Sequence, residues 1–259
     1  MHDAESKVLT RETFDAIFAA DPNSPTRRRI WREVYGSDYS EEVDQFSFTT
    51  LPLLRRIAKA LCVGPGQVFA DLGCGRGGPG LWVARETGAS LTGIDFSQVA
   101  LEHARQRAEL FGVKDRATFL LRDYAKTELP DACFDAVMCV DAFRMAPTGA
   151  AVAREILRLL RPGRCFVATV FVGHRPGETS TPSGPEQIFT DAGGVVEVIE
   201  PTPDFQPRRL AIYEGMLAEQ EALKAELGEQ VAELLLKEAR MGRNPSVITE
   251  QMFVVVRRP

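Results

Sequence analysis

From Gln67 onward, short apolar runs alternate with stretches of helical spacing, and this alternation constrains the fold more than any other feature of the chain. Residues 68–72, 90–95, 117–121, 134–140 and 164–172 each read as a strand buried on both faces. Residues 80–86, 97–111 and 148–160 lie between them with apolar positions recurring at helical intervals. Parallel neighbouring strands need a crossover, usually a helix, so the pattern predicts an α/β fold with a parallel sheet covered on both faces. Residues 195–200 and 248–257 add a sixth and a seventh strand.

The first sixty or so residues read differently, as helices alone. Leu9, Phe14, Ile17 and Phe18 share a helical face, and Asp21-Pro22 ends it. Ser24 caps a second helix, with Pro25 in the first turn, where its missing N–H costs nothing. That helix turns Ile30, Trp31, Val34 and Tyr35 inward and stops at Gly36. A third, from about Thr50 to Leu61, buries Leu53, Leu54, Ile57 and Leu61. Arg27, Arg28 and Arg29, with Glu33 nearby, read as a solvated charged face rather than a phosphate clamp. Between the last two strands, residues 204–240 form a helical insert with Leu210, Tyr213, Leu217, Val231, Leu234 and Leu235 as its apolar stripe, broken at Gly228. The Pro/Gly-rich stretch 174–185 reads as a surface loop. The expected organisation is a helical lid segment over 1–62, an α/β core over 63–203 and 245–259, and the insert over 204–244, placed above the sheet's carboxyl edge where it caps a pocket.

Chemistry concentrates in VFADLGCGRGGPG, Val68 to Gly80. A strand ends at Asp71-Leu72, a glycine-rich turn follows and a helix begins, so the backbone is free to approach a ligand and the helix offers unpaired N–H groups. Gly73-x-Gly75-x-x-Gly78 also satisfies the dinucleotide fingerprint, with Asp95 about twenty residues on. Asp71 argues against that reading, because a carboxylate beside a pyrophosphate repels it. It suits a ligand whose near end carries an ammonium and a sulfonium. A third acid, Asp123, follows the strand 117–121 and precedes Tyr124, where it is able to accept a hydrogen bond from an adenine amino group.

Taken together, DLGCGRG (71–77), GIDFS (93–97), RDY (122–124), FDAVMCVDA (134–142) and LLRPGR (159–164) resemble the class I S-adenosylmethionine-dependent methyltransferases. The resemblance spans about 100 residues and rests on spacing as well as identity. It implies a Rossmann-like sheet of order 3-2-1-4-5-7-6 with strand 7 antiparallel. It implies S-adenosyl-L-methionine as cofactor, bound by Asp71, Gly73, Cys74, Gly75, Asp95, Phe96, Asp123, Tyr124, Val140 and Asp141. The first motif holds the methionine part, Asp95 the ribose hydroxyls and Asp123 the adenine amine. The glycine segment, with WREVYGSDY and FSFTT before it, is similar to small-molecule methyltransferases of bacterial secondary metabolism, including antibiotic biosynthesis. In those enzymes N-terminal helices and a late insert act as lids, which here gives Trp31, Tyr35, Tyr39, Phe46 and Phe48 as an aromatic lid; for Trp31 and Phe46 helix packing is an equal reading. The acceptor pocket is expected where Tyr35, Phe48, Arg144, His174 and Tyr213 converge, with Tyr35 and His174 as the catalytic candidates, by positioning more than as bases.

The stretch after the fourth strand reads VDAFRMAP, without the His that many O-methyltransferases of this kind carry there as base. His103 lies mid-helix and reads as exposed, and His174 follows the fifth strand at the ligand-binding edge. Cys74 and Cys139 read as small packing residues, and no metal-ligand constellation is visible. A formal charge of −5 argues against nucleic acid, and the longest apolar-rich run, Cys165 to Gly173, is far short of the roughly 20 residues that cross a bilayer. A polar N-terminus and five cysteines without a CxxC pair point to reduced thiols in a cytoplasm, in a monomer or a homodimer. Two other readings stay open: a nicotinamide-dependent oxidoreductase, and a methyltransferase-fold protein that binds the cofactor but catalyses another reaction or only binds.

Overall fold

The computed structural model describes residues 10–44, 46–143, 149–173, 184–244 and 249–259. Seven strands form one sheet: β1 (Val68–Leu72), β2 (Ser90–Asp95), β3 (Ala117–Leu121), β4 (Phe134–Val140), β5 (Leu160–Gly173), β6 (Val195–Pro201) and β7 (Thr249–Arg257). Their order is β3-β2-β1-β4-β5-β7-β6, with β7 antiparallel to both neighbours and the remaining pairs parallel. That is the expected order. β5 begins earlier than its apolar run because the turn around Gly163 is hydrogen-bonded onto the sheet, leaving Leu160 beside Phe134 before an irregularity in the register.

On one face, α3 (Leu51–Leu61), α4 (Gly78–Thr87) and α5 (Gln98–Leu110) bury Leu54, Ile57, Leu81 and Leu101 against Phe69, Leu91 and Met138. On the other, α6 (Gly149–Leu159) and α7 (Pro185–Asp191) bury Ile156 and Phe189 against Ala70, Val137 and Phe166. The helix α7 lies where the sequence offered only a proline-rich end to a loop; Phe189 anchors it.

A third core sits apart from the sheet. The helices α1 (Arg11–Ala20) and α2 (Pro25–Tyr35) pack on α8 (Phe205–Ala218), α9 (Gln220–Leu227) and α10 (Glu229–Gly242), so the N-terminal segment and the insert form one helical cap. Ile17, Ile30, Trp31, Ile212, Met216 and Leu236 fill its interior. Hydroxyl caps start the helices locally, with Thr10, Ser24 and Thr50 each accepting from an N–H in the first turn. A distant residue completes the second cap: Glu226 of α9 accepts from Ser24 Oγ at 2.6 Å and from Thr26 N and Oγ1 at 3.2 and 2.6 Å.

The arginine triplet corrects the sequence reading in part. Arg28 and Arg29 are part-exposed, but Arg27 is 1% exposed. Its guanidinium meets Asp21 at 2.5 Å and Asp44 at 2.6 Å. Arg76, from the glycine-rich loop, meets the same two carboxylates at 2.7 and 3.1 Å. Asp21 is fully buried, so each carboxylate has left water only because two guanidiniums replace it. Burial alone raises the Asp44 carboxyl, yet Arg27, Arg76 and Arg28 bring it down to about 2.

Removing one partner from such a cluster strands a buried charge. Arg27→Met is therefore expected to cost about 3–5 kcal/mol of unfolding free energy in urea denaturation. Arg29→Ala, which breaks only part-exposed pairs with Glu33 and Glu219, should leave the denaturation midpoint unchanged.

Candidate functional site

The carboxyl ends of β1, β2 and β4 open beneath the cap. A cavity of about 220 Å³ runs between them. Its floor is the turn after β1, where Gly73 and Gly75 hold left-handed conformations. At Gly73 (φ +70°) a Cβ would stand 2.5 Å from the Ala142 Cβ, so glycine is required there by both conformation and space. The loop is pinned from β2: Asp95 Oδ2 accepts from Gly75 N at 2.8 Å and Oδ1 from Ser97 N at 2.9 Å. Each oxygen keeps further acceptor capacity for a ligand hydroxyl.

Two buried carboxylates, Asp71 and Asp95, meet at this floor. Burial, and then the neighbouring Asp95, push the Asp71 carboxyl up to about 8; the Gly80 backbone offsets this only in part. Asp95 is also raised, by burial, against the N–H groups of Ser97, Gly75 and Phe96. The cradle's own cation, Arg76, is paired with Asp21 and Asp44 rather than with these two acids, so the floor favours a cationic ligand, while a pyrophosphate there meets two carboxylates. The donors and acceptors fit a ligand with an ammonium, a sulfonium and a vicinal diol. Burial raises the thiols of Cys74 and Cys139 well above their ordinary value, which makes both unreactive packing groups.

The structure gathers most of the expected residues on this cavity. Asp71, Gly73, Cys74, Gly75, Asp95, Phe96, Tyr124, Val140, Asp141, Phe48 and Tyr213 all line it. Tyr124 is fixed by its hydroxyl, which donates to Ala142 O at 2.7 Å. Asp123 is exposed and outside the lining, with Oδ1 accepting from Ala125 N at 2.8 Å. Tyr35 is buried and does not line the cavity; the Arg208 guanidinium lies 5.7 Å from its ring centre. Burial raises its hydroxyl strongly, opposing a role as base. Arg144 and His174 lie outside the described residues. His103 is half-buried rather than exposed, on the opposite side of Arg76, where burial lowers it.

The walls are aromatic. Phe14, Phe18, Trp31, Phe46, Phe48 and Phe171 line the cavity, and Phe48 meets Phe171, Phe205 and Tyr213 edge-on at 6.1, 5.6 and 5.9 Å. Trp31 and Phe46 therefore both pack in the cap and face the site, whereas Tyr39 stays within the cap's core. Glu238 of α10, a residue that the sequence reading passed over, also lines the cavity and accepts from Tyr213 Oη at 2.8 Å. Within LLLKEARMG it reads as part of a solvated face; its one signal is a position three and seven residues after Leu235 and Val231 of the apolar stripe.

A seven-stranded sheet of this order with a glycine cradle between two acids defines a class I methyltransferase fold. Residues 69–163 match the family model described as a methyltransferase domain. The chain is similar to sterol 24-C-methyltransferase of Yarrowia lipolytica, at 36% identity over 42% of this chain and 29% of the relative. It is also similar to 27-O-demethylrifamycin SV methyltransferase of Amycolatopsis mediterranei, at 29% identity over 66% of this chain and 63% of the relative. The chain thus spans less than two thirds of the length of either relative. The crystal structure of the [4+2]-cyclase SpnF has the same fold, with a TM-score of 0.66 at 23% identity over 80% of this chain and 81% of that one.

The acids give the ligand-free protein a pH signature. A carboxyl whose folded value exceeds its unfolded one makes the native state bind more protons. Its stabilisation is complete below the unfolded value and is lost as pH rises through the folded one. For Asp71 the window runs from 3.8 to about 8, and Asp141, raised by burial to about 6, adds the same sign. Unfolding free energy is expected to fall as pH rises from about 5 to 8, and Asp71→Asn should flatten most of that slope in denaturation series at each pH.

Proposed function

We propose that the protein transfers a methyl group from S-adenosylmethionine to a small-molecule acceptor in natural-product biosynthesis. The observation that carries this reading is one cavity lined both by the glycine cradle with its two buried acids and by the aromatic cap. Relatives acting on a sterol and on a rifamycin accord with a small organic acceptor.

Asp71 is the counter-charge for the methionine ammonium, Asp95 the acceptor for the ribose hydroxyls, and Phe96 and Tyr124 flank the adenine side. Asp123, which is exposed and outside the cavity lining, takes the adenine amine as a donor in this reading. When bound, the cofactor supplies an electrophilic methyl on a neutral leaving group. The chain's own work is to align an acceptor and exclude water, and alignment alone contributes about 7–11 kcal/mol to such displacements. The helices α1 and α2 provide the exclusion.

Calorimetry decides the cofactor. S-adenosylhomocysteine is expected to bind and NAD is not; the opposite result rejects the reading. Asp95→Ala should weaken S-adenosylhomocysteine by roughly one to two decades, since buried ligand hydroxyls lose their acceptor. The second reading, a fold that binds the cofactor without transferring methyl, predicts binding with no S-adenosylhomocysteine release from S-adenosylmethionine across a panel of acceptors.

A further inference from the structure

Among the lining residues of the cavity, the insert contributes one carboxylate, Glu238. The insert's other contributions to the lining are Tyr213 and the apolar Met216, Leu223 and Leu235. Glu238 is exposed over part of its side chain and lines the cavity with the rest. Burial holds its carboxyl above the ordinary range, against the opposing effects of the Tyr213 hydroxyl and the Arg209 guanidinium.

Its position is built rather than accidental. Tyr213 Oη donates to Glu238 Oε1 at 2.8 Å. The Tyr213 ring is itself wedged: a Cβ at Gly242 would stand 2.1 Å from its Cε2, and the Arg209 guanidinium lies 5.4 Å from the ring centre while donating to Gly242 O at 3.3 Å. One oxygen of Glu238 is thus fixed by the protein. The hydrogen bonds to Glu238 in the described residues leave Oε2 as an acceptor for something in the cavity.

We propose that Glu238 binds the hydroxyl of a largely apolar acceptor and takes its proton during methyl transfer, with Tyr213 as the residue that positions it. This rests on the methyl-transfer reading above and names the acceptor class within it. The acceptor oxygen forms a bond to the methyl carbon; the carbon–sulfur bond breaks with its electron pair staying on sulfur; the hydroxyl proton passes to Glu238 Oε2. An amine acceptor fits less well. A carboxylate beside it stabilises the ammonium form, which has no lone pair to attack with, whereas a hydroxyl donates to the carboxylate and becomes more nucleophilic as it does so. A raised carboxyl is also a stronger base than a free one.

The probes are para-butylphenol and para-butylanisole, which share an apolar body and differ in the one donor. With protein saturated by S-adenosylhomocysteine, calorimetry should show the phenol binding at least tenfold more tightly than the anisole. That ratio should fall to near one in Glu238→Leu and shrink in Tyr213→Phe. Release of S-adenosylhomocysteine from S-adenosylmethionine with the phenol should slow about a hundredfold or more in Glu238→Gln, a near-isosteric change that also covers misfolding of the leucine variant. S-adenosylhomocysteine affinity should be unchanged in all three. Failure of the wild type to bind S-adenosylhomocysteine sinks the methyl-transfer reading itself. With that binding intact, the proposal is overturned by no phenol binding, by equal binding of the two probes, by a ratio that survives in Glu238→Leu, or by a Glu238→Gln rate within tenfold of wild type.

Discussion

The cluster of Asp21, Arg27, Asp44 and Arg76 is the interaction on which the rest of the site depends. Arg76 belongs to the cradle, between Gly75 and Gly77, while its two carboxylate partners belong to the N-terminal segment. The cap and the cofactor loop are therefore joined by buried charges rather than by apolar contact alone. Arg107 of α5 reinforces the joint, donating to Arg76 O at 2.8 Å and to Glu42 O and Val43 O at 2.7 Å each. A buried ion cluster is a poor source of net stability compared with apolar packing of equal volume, but it is costly to break and tolerates only one geometry. What it supplies here is registration: the loop cannot shift without uncovering Asp21, and α2 cannot lift without stranding Arg76.

That registration sets where the cap's aromatic residues stand. Phe18, at the end of α1, lies against the cradle, 3.3 Å from where a Cβ on Gly75 would be. Phe14 meets Phe96 edge-on at 5.4 Å, so the residue following Asp95 is covered by the N-terminal helix. Asp15 reinforces the same contact by accepting from Ser97 Oγ, the N-cap of α5. The N-terminal helices thus complete the cofactor side of the cavity as well as the acceptor side, and the cap is part of the site rather than a cover laid over it.

The sheet was legible because its signal is local. Five buried strands and their crossovers appear as periodicity, and the cradle appears as glycines at a strand's end. The cap was legible only as helices. Its assembly depends on pairs far apart in sequence, such as Ser24 with Glu226 and Arg27 with Asp44, and no periodicity reports which charged residue will find a buried partner. Arg27 shows the difficulty: three consecutive arginines have identical local chemistry, and only the helix's orientation against Asp21 and Arg76 separates the buried one from its neighbours. Glu238 was passed over because a glutamate among Lys237, Arg240 and Arg243 reads as solvent-facing, which its exposure bears out, and only its pairing with Tyr213 of α8 shows that it also lines the cavity.

The end of β4 explains why the acceptor chemistry moves to the cap. The residue that follows β4, Asp141, lines the cavity. It holds a left-handed conformation at φ 59°, uncommon for a residue other than glycine and costing roughly 1–2 kcal/mol before compensation. The compensation engages both carboxylate oxygens. Oδ1 accepts from Thr169 Oγ1 at 2.6 Å and Gln251 Nε2 at 2.7 Å, and Oδ2 accepts from Phe48 N at 3.0 Å. Asp141 thereby ties β4 to β5, to β7 and to the segment that carries the aromatic wall. A group so committed is a latch, and its proton affinity is set by those donors and by burial rather than by a ligand. A carboxylate oxygen in the cavity that no described hydrogen bond engages has to come from an element other than this one. The insert is the element whose carboxylate, fixed on one oxygen and open on the other, meets that need.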